Sequence, residues 1–287
     1  MILKKLRVRI YYWRRDFFRK RLLKNIIKFS QNNSLGKDQN DAFQYIEKNG
    51  LSVFPHSFSE KYKDYKVEVF FENSLPYVFH KERKLFFKKG WSVDQVKHYY
   101  KSLVMEQDDE SPHLYCDDDF KVEQGDIIID LGVAEGNFSL DHIEKASRVI
   151  LFEHNKNWIE PLNKTFEHYK HKVEIINKFA GSKGSESSMA IDSLEGLEGK
   201  SIFIKIDVDG SEDEVLVGME RLLVKSKSIK VAICTYHLND DANKFEKCFK
   251  KLNFHTSFSA GYMLFFHDKK IAPPYLRRGV LRAWKKQ

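Results

Sequence analysis

The chain of 287 residues is poor in cysteine and has no long apolar run. Its three cysteines, Cys116, Cys234 and Cys248, are far apart and form no Cys-x-x-Cys pair. This spacing argues against disulfides and structural zinc, and it favours a reduced, cytoplasmic protein. No apolar run approaches the roughly 18 residues of a membrane-spanning helix. Because charges interrupt every apolar segment near the N-terminus, we expect no signal peptide.

Positive charge is concentrated at the two ends of the chain. The formal net charge is +8, but residues 1–30 carry +10 and residues 268–287 carry +6, so the middle of the chain carries −8. A nucleic-acid groove across the centre of the protein is therefore not expected.

Residues 1–30 have a basic amphipathic pattern in which Arg and Lys fill the gaps between apolar residues at helical spacing. One hypothesis is a helix that lies on an anionic membrane surface, at the inner face of a membrane. The other is a helix that packs on the protein's own core and turns a basic face to solvent. The sequence leaves both open. The apolar positions are Leu3, Leu6, Ile10, Trp13, Phe17, Phe18, Leu22, Ile26 and Phe29.

The most informative motif lies in residues 125–139. Three consecutive isoleucines end in Asp130, as in a parallel strand buried on both faces. Gly132 and Gly136 permit a tight turn and a close approach of the backbone to a ligand. The helix that follows, beginning near Asn137, directs free N–H groups towards the strand end. The pattern is neither a dinucleotide fingerprint nor a phosphate loop. It resembles the loop that binds S-adenosylmethionine (SAM) in Rossmann-like methyltransferases.

A second apolar strand ends in Glu153, 23 residues after Asp130. In nucleotide-binding sheets an acid about 20 residues on accepts hydrogen bonds from ribose hydroxyls. Glu153 is therefore the predicted ribose ligand, and a solvent-facing carboxylate is the alternative. Asp130 is predicted to support the glycine loop or to face the ligand's ammonium group, and Asn137 is a further predicted cofactor contact.

From residue 119 strands alternate with helices, which is typical of a parallel, doubly wound sheet. Ligands of such sheets bind beyond the carboxyl ends of the strands. A tight final pair of strands, with Gly261 at the turn, predicts a closing antiparallel hairpin. The predicted strands are 127–131, 148–153, 172–177, 201–207, 229–235, 254–259 and 261–266, and the predicted helices begin near 136 and 211 or span 156–170 and 240–251.

Residues 201–212 carry a second motif, at the end of the fourth strand. It matches the pattern Lys-x-Asp-x-Glu-Gly-x-Glu, except that Asp209 stands where a glutamate is usual. The residues in register are Lys205, Asp207, Asp209, Gly210 and Glu212. With this motif, residues 105–282 resemble the FkbM family of SAM-dependent methyltransferases.

The resemblance implies a Rossmann-like class I methyltransferase fold, with SAM as the cofactor. It also implies O-methylation of a hydroxyl, for which a glycan or lipid-linked saccharide is the expected acceptor. Residues 272–275, Ala-Pro-Pro-Tyr, lack the polar first residue and the strand-four position of the motif in amine methyltransferases. This departure argues against N-methylation.

Asp207 is expected to face the cofactor and the acceptor, because the fourth strand lies beside the first. Its carboxylate can hold the ammonium group of SAM or orient the acceptor hydroxyl. Asp207, Asp209 and Glu212 offer the oxygens that hard cations prefer, but acids without further ligands are weak evidence and no metal site is predicted. For Glu212, a first-turn carboxylate favoured by the helix dipole is a serious alternative.

His237 follows Tyr236 at the end of the fifth strand and is the predicted general base. Transfer of a methyl group to an alcohol needs a side chain that positions the hydroxyl and accepts its proton. Imidazole, which titrates near neutrality, suits that task. Asp241, four residues on, is predicted to fix the tautomer of the ring. A structural histidine is the alternative.

Residues 106–115 precede the core and are predicted either as a lid over the SAM pocket or as an exposed acidic loop. In the first case Glu106, Gln107 and His113 contact SAM or the acceptor. Shorter patterns predict a strand over 65–71 and a helix over 94–105 capped by Ser92. The predicted organisation is an arm (1–30), an α+β extension for the acceptor (31–118), the methyltransferase domain (119–268) and a basic tail (269–287).

Two other functions compete with methyl transfer. The first is a nicotinamide-dependent oxidoreductase on a similar sheet, against which the missing dinucleotide fingerprint counts. The second is a non-catalytic protein that binds membrane or nucleic acid through its basic ends. Cofactor binding separates the three, since the last predicts none.

Overall fold

A computed structural model of the chain describes the backbone of residues 2–285 and the side chains of residues 15–285. The helices are α1 (Ile2–Gln31), α2 (Lys37–Asn49), α3 (Val93–Glu106), α4 (Asn137–His142), α5 (Ile159–Thr165), α6 (Glu212–Gly218), α7 (Glu220–Lys225) and α8 (Asp241–Lys251). The strands are β1 (Phe70–Glu72), β2 (Leu75–His80), β3 (Arg83–Phe86), β4 (Ile127–Leu131), β5 (Arg148–Phe152), β6 (Val173–Ile176), β7 (Phe179–Ala180), β8 (Ser188–Met189), β9 (Ile202–Ile206), β10 (Ile229–Cys234), β11 (His255–Phe258) and β12 (Val280–Lys285).

A seven-stranded sheet forms the centre of the molecule, in the order β11-β12-β10-β9-β4-β5-β6. Strands β10, β9, β4, β5 and β6 pair in parallel, and β12 runs antiparallel to both of its neighbours. This is the Rossmann-like class I methyltransferase arrangement, and the predicted fold class is confirmed. The chain turns from one half of the sheet to the other at β4, where such sheets bind their ligands.

Both faces of the sheet are covered, which explains the apolar runs in the sequence. Every residue of β4 and β9 is buried. Alternate residues point to opposite faces: Ile128 and Phe203 pack with α4 and α5, whereas Ile129 and Ile204 pack with α6, α7 and α8. Two hydrophobic cores therefore hold the strand ends in a fixed relation.

The last strand is not where the sequence predicted it. The antiparallel pair exists, but β11 pairs with residues 280–285, and residues 261–266 lie outside the sheet. Residues 260–279 form an excursion that leaves the sheet and returns, held by a bridge between Met263 and Arg277. The local pattern favoured 261–266 because these residues are mostly apolar, whereas 280–285 include Arg282 and Lys285 and were assigned to the basic tail.

The predicted basic tail is therefore wrong for residues 280–285, which form a strand in the sheet. The basic residue Arg282 is only 4% exposed. Its guanidinium donates to the carbonyl oxygens of Leu114 and Tyr115 at 2.9 and 3.1 Å, and it pairs with Asp117. A buried, fully bonded arginine looks like a surface residue in composition, which is why charge counting misassigned this segment.

The second half of α1 packs on the protein itself. Leu22 and Ile26 are buried in a small core with α2 and the excursion. For residues 15–31 the core-packing hypothesis is thus correct on one face. The predicted apolar positions Leu3, Leu6, Ile10 and Trp13 carry side chains that lie outside the described part of the chain.

The N-terminal extension contains the small sheet β1-β2-β3 and the helix α3. Ser92 caps α3 as predicted: its hydroxyl accepts from the Gln95 N–H and the Gln95 side chain accepts from the Ser92 N–H, a capping box. The strand predicted over 65–71 is shorter and later, as β1. Among the described residues, no helix combines the length and the apolar character needed to span a bilayer.

Candidate active site

A buried ion pair lies under the glycine loop, at the carboxyl ends of β4 and β9. The Lys205 ammonium is 3.0 Å from Asp130 Oδ1 and donates to the Gly132 carbonyl oxygen at 2.6 Å. The second oxygen of Asp130 accepts from the Ser139 hydroxyl at 2.7 Å. Asp130 is 1% exposed. Of its two predicted roles, the structure favours support of the loop over contact with a ligand.

Gly132 packs against the residue that follows β9. Its φ is +74°, and a Cβ there would lie 1.8 Å from the carbonyl oxygen of Asp207. The glycine therefore permits a close approach of the loop to the end of β9. Gly136, with φ +84°, faces Phe166 and Leu162, where a Cβ would come within 3.0 Å of both side chains. Both glycines fix the loop against its surroundings.

Glu153 ties the glycine loop to the turn after β5. One of its oxygens accepts from the Ala134 N–H at 2.8 Å and the other from the Asn155 N–H at 2.7 Å. The carboxylate is 5% exposed. Each oxygen has a second lone pair, so the predicted contact with ribose hydroxyls is compatible with these bonds. Asn137 is the first residue of α4, beside this loop.

Asp207 is the centre of a polar cluster. It accepts hydrogen bonds from the Tyr115 hydroxyl at 2.9 Å and the Tyr236 hydroxyl at 3.4 Å. Burial raises the pKa of Asp207, but the charges of Lys205 and nearby His113 and the Tyr115 bond outweigh it, and the pKa falls to about 2. The carboxylate is thus ionised at neutral pH.

His237 lies against Asp207 and is oriented by Glu212. Its Nδ1 is 2.9 Å from Glu212 Oε1, and its Nε2 is 3.7 Å from Asp207 Oδ1. The side chain is 5% exposed. Burial lowers the pKa of His237, but the interaction with Glu212 and the charge of Asp207 raise it by more than burial lowers it. The pKa therefore lies above its ordinary value of 6.5.

The predicted partner of His237 was wrong. Asp241 is buried, but its carboxylate accepts from the Leu238 N–H at 2.8 Å and closes its own loop. Burial raises the pKa of Asp241 to about 6. Glu212, for which a helix-dipole role was the alternative, takes the place next to the imidazole. Spacing in the sequence suggested the nearer acid, whereas the fold brings the turn after β9 against the end of β10.

The carboxylate of Glu212 also accepts from the Val208 and Gly210 N–H groups, at 3.2 and 3.4 Å. Asp207, Glu212 and His237 each have a ligand-type atom within 4.8 Å of the others. Because Glu212 already accepts from two backbone amides and lies 2.9 Å from the imidazole Nδ1, the geometry favours a positioning role for it over direct ligation of a cation.

Residues 106–115 cover the Asp207 cluster and are not an exposed loop throughout. His113 is 3% exposed and its Nε2 is 3.2 Å from the Tyr236 hydroxyl. Gln107 donates to the His113 carbonyl at 3.1 Å and so braces this segment. Burial lowers the pKa of His113 to about 4, which keeps the ring neutral. Asp109 and Glu110 remain exposed.

The cluster around Asp207 contains two further carboxyl groups, those of Glu106 and Glu135. Burial raises the pKa of Glu106 to about 8, with further contributions from the charges of Asp207 and Glu135. Burial likewise raises the pKa of Glu135 to about 7, although the Tyr99 hydroxyl donates to it at 2.9 Å. A nearby positive charge would stabilise the ionised form of these carboxylates. A cationic ligand therefore fits the donor set, and SAM carries a sulfonium and an ammonium group.

An aromatic wall beside Glu135 was not predicted. The rings of Trp91 and Trp158 lie 5.5 Å apart, and Tyr99 lies 5.1 Å from Trp91. The ammonium of Lys88 lies 4.4 Å above the Trp158 ring. Burial lowers the pKa of Lys88, while the charges of Glu153 and Glu135 oppose that shift.

Arg277 anchors the His237 loop from the excursion. Its guanidinium donates to the carbonyl oxygens of Tyr236 and His237, both at 2.7 Å, and pairs with Asp268 at 2.5 Å. Nothing in the local sequence marks this residue, and its charge placed it in the predicted basic tail.

Glu135 and Tyr115 were also missed, although Glu135 lies inside the glycine motif and Tyr115 at the end of residues 106–115. Polar residues that flank the motifs are the signal that points to both.

No family model and no curated protein matches the sequence. Among solved structures, a precorrin-6y C5,15-methyltransferase from Geobacter metallireducens is 11% identical with a TM-score of 0.41, covering 73% of this chain and 97% of that chain. A precorrin 8W decarboxylase from Methanobacterium thermoautotrophicum is 12% identical with a TM-score of 0.40, covering 57% and 83%. An rRNA methylase from Streptococcus thermophilus is 13% identical with a TM-score of 0.37, covering 58% and 90%. These likenesses are too low to transfer an activity or a residue role to this chain.

Proposed function

We propose that the protein is a SAM-dependent O-methyltransferase that acts on a hydroxyl of a glycan or lipid-linked saccharide. The observation that carries the proposal is the site itself: an acid-rich cluster at the ligand-binding edge of a methyltransferase sheet, in which the Nε2 of a buried histidine lies 3.7 Å from Asp207. The resemblance of residues 105–282 to the FkbM family supports the reaction and the acceptor class.

SAM, when bound, supplies a methyl group on a positively charged sulfur that an oxygen can attack. The chain's part in binding it falls to the glycine loop and the acids around it. Glu153 would accept from the ribose hydroxyls with its free lone pairs. Glu106, Glu135 and Asp207 would face the positive charges. Glu135 is buried and the other two are partly buried, which strengthens that attraction.

His237 would receive the acceptor's proton at Nε2. Because Glu212 lies at Nδ1, it favours the tautomer with the proton on Nδ1, and Nε2 is then the basic nitrogen. Asp207, 3.7 Å from Nε2, would orient the acceptor hydroxyl and stabilise the imidazolium that forms. Proton removal as the oxygen attacks is the step in which these residues would contribute to the rate.

Thermal melting of the purified chain with SAM, S-adenosylhomocysteine (SAH) and NAD in parallel tests the cofactor class. A ligand at 100 times its Kd adds about 2.7 kcal/mol to the free energy of unfolding, a shift of several degrees for a domain of this size. Stabilisation by SAM and SAH but not NAD is expected. Stabilisation by NAD alone would support an oxidoreductase instead.

Transfer of labelled methyl from SAM to glycan or lipid-linked saccharide fractions tests the reaction. In the same assay His237→Ala should retain SAM binding and lose turnover. Unchanged turnover in that variant would remove His237 from the mechanism while leaving the cofactor assignment intact.

A further inference from the structure

Two groups of possible metal ligands lie in the described part of the chain, and both contain Asp207. One group adds Glu212 and His237, and the other adds His113 and Cys234. In each group the three ligand atoms lie within 4.8 Å of one another. The first group is the arrangement in which Glu212 orients the imidazole. The second contains a histidine and a cysteine that the proposed function does not use.

Three separate parts of the chain form the second group. Cys234 is the last residue of β10, Asp207 follows β9, and His113 belongs to the segment that covers both. His113 and Cys234 are 121 positions apart, so the sequence has none of the short ligand spacing that marks many zinc sites. The parallel pairing of β9 and β10 brings the thiol and the carboxylate to the same edge of the sheet.

The separations of the three ligand atoms are close to those of a tetrahedral zinc site. The Nε2 of His113 is 3.7 Å from the Sγ of Cys234 and 3.7 Å from Oδ2 of Asp207. Zinc bonds of about 2.0–2.3 Å place neighbouring ligand atoms about 3.3–3.6 Å apart. Small movements of the side chains therefore bring all three atoms to a shared ion. Three protein ligands leave the fourth position to water, as in catalytic zinc sites.

The neighbouring groups leave these atoms available to an ion. The amide nitrogen of Gln107 lies 3.3 Å from Nδ1 of His113, so Nε2 is the ring nitrogen that faces the cluster. The Tyr236 hydroxyl lies 3.2 Å from that Nε2 and has a second partner in Asp207 Oδ1, at 3.4 Å. The Tyr115 hydroxyl donates to Oδ2, and a carboxylate oxygen keeps another lone pair beside such a bond.

Burial and charge at this position suit a cation. Cys234 is fully buried and His113 is 3% exposed. The side chain of Asp207 is 21% exposed, so an ion can enter beside it. The nearby ammonium of Lys205 is paired with Asp130, which leaves the charge of Asp207 to attract a further cation. That attraction is strong where water is largely excluded.

We propose that His113, Cys234 and Asp207 bind a divalent transition-metal ion, zinc being the expected one. Thiolate and imidazole ligands favour zinc over magnesium and calcium, which prefer oxygen. When the sulfur–zinc bond forms, the thiol releases its proton to water. Asp207 would use Oδ2 for the ion, and Oδ1, which lies 3.7 Å from Nε2 of His237, would keep the role proposed above. The inference concerns metal binding alone and stands whether or not the proposed reaction is correct.

Titration of the full, reduced chain with cobalt(II) tests the proposal. Zinc(II) has a filled d shell, whereas cobalt(II) bound to a thiolate absorbs in the near ultraviolet through charge transfer from sulfur. We expect this band to saturate at about one cobalt ion per chain. Zinc should then displace cobalt and abolish the band, because zinc binds the same ligands more tightly. Magnesium should leave the band unchanged.

Four variants identify the ligands. Cys234→Ser should abolish the charge-transfer band, and Cys234→Ser and His113→Gln should each weaken cobalt binding by more than about 100-fold, since loss of an outer partner already costs roughly 10–100-fold. Cys248→Ser and His142→Gln are the matched controls, at a free cysteine and a histidine that are also partly buried but belong to neither group. Both should bind cobalt within a few-fold of the unaltered chain. Equal melting temperatures without metal would show that the variants fold.

Three results would overturn the proposal. The first is cobalt binding to the unaltered chain without the charge-transfer band, or no metal retained after equilibrium dialysis, and neither depends on a variant. The second is equal loss of the band in Cys234→Ser and Cys248→Ser, which would indicate unspecific binding to thiols. The third is cobalt binding that is lost in His237→Gln and retained in His113→Gln and Cys234→Ser, which would place the ion beside Glu212.

Discussion

At the scale of single residues, the candidate site depends on which acid faces His237. Glu212 contacts Nδ1 at 2.9 Å, whereas Asp241 bonds its own backbone. A carboxylate next to an imidazole raises its pKa, because the positive form gains a partner. The two acids are therefore distinguishable by titration, without knowledge of the acceptor.

We predict that Glu212→Gln lowers the pKa of His237 and that Asp241→Asn leaves it nearly unchanged. Glutamine keeps an oxygen for the backbone amides but removes the charge. NMR titration of the His237 ring measures the pKa directly, and in the unaltered chain its midpoint should lie above 6.5. The acid limb of a pH–rate profile should move to lower pH in Glu212→Gln. A shift in Asp241→Asn alone would restore the partner that spacing suggested.

The glycine loop gives a second prediction at this scale. Gly132→Ala should cost about 3 kcal/mol or more of unfolding free energy, because a left-handed backbone costs about 1–2 kcal/mol for alanine and the Cβ would clash with the Asp207 carbonyl. Gly125→Ala is the matched control: its φ is +89° but nothing lies within 4 Å of a Cβ. It should show only the backbone cost. Urea denaturation of both variants measures the difference, and equal costs would contradict the close approach.

At the scale of elements, β12 decides where the domain ends. It lies between β10 and β11 and pairs with both over its length. Its alternation of Leu281 and Ala283 with Arg282 is a strand pattern hidden in a basic segment. Removing an inner strand exposes the edges of two others and the core beneath them.

We predict that a chain ending at residue 279 does not fold, whereas a chain ending at residue 285 does. Leu281 and Ala283 are fully buried, and loss of the strand removes their contacts together with the bonds of Arg282. Circular dichroism and the thermal transition of the two chains measure the outcome. A cooperative transition near the normal temperature in the shorter chain would mean that 280–285 is the dispensable tail that its charge suggested.

At the scale of the whole molecule, stability and ligand binding are linked through the acids of the candidate site. The folded pKa values of Glu106 and Glu135, about 8 and 7, are raised above the ordinary value of 4.5. The folded state therefore holds protons that the unfolded state releases. The resulting stabilisation is fully present below about pH 4.5 and is lost as pH rises towards 8.

We predict that stabilisation by SAM increases between pH 6 and pH 8.5, because its sulfonium charge attracts the carboxylates only when they are ionised. The affinity should rise by up to about tenfold per pH unit for each proton released. SAH, which lacks the sulfonium charge, should show a weaker dependence, and Glu106→Gln should flatten the curve for SAM. Thermal melting across pH measures this. Equal slopes for SAM and SAH would contradict a sulfonium held by these acids.

Part of the site was predictable because its residues lie at the ends of strands. The apolar runs at 127–131 and 201–207 predicted two of the strands, and residues that follow a parallel strand must meet at one edge of the sheet. Asp130, Glu153, Asp207 and His237 were found in this way. The partner of His237 was not found, because a local pattern cannot distinguish Asp241, four residues after it, from Glu212, 25 residues before it.

The sequence by itself determined the fold class, the positions of the parallel strands along the chain and the edge at which the polar residues collect. These follow from apolar runs and turn residues that act over a few positions. Only the tertiary structure decided that Glu212 orients His237, that Gly132 approaches Asp207, and that the final strand is 280–285. The physical reason is distance along the chain: the bond from Arg282 to the Tyr115 carbonyl joins residues 167 positions apart. A contact of that kind has no local signal, because it exists only once the sheet has assembled and buried both partners.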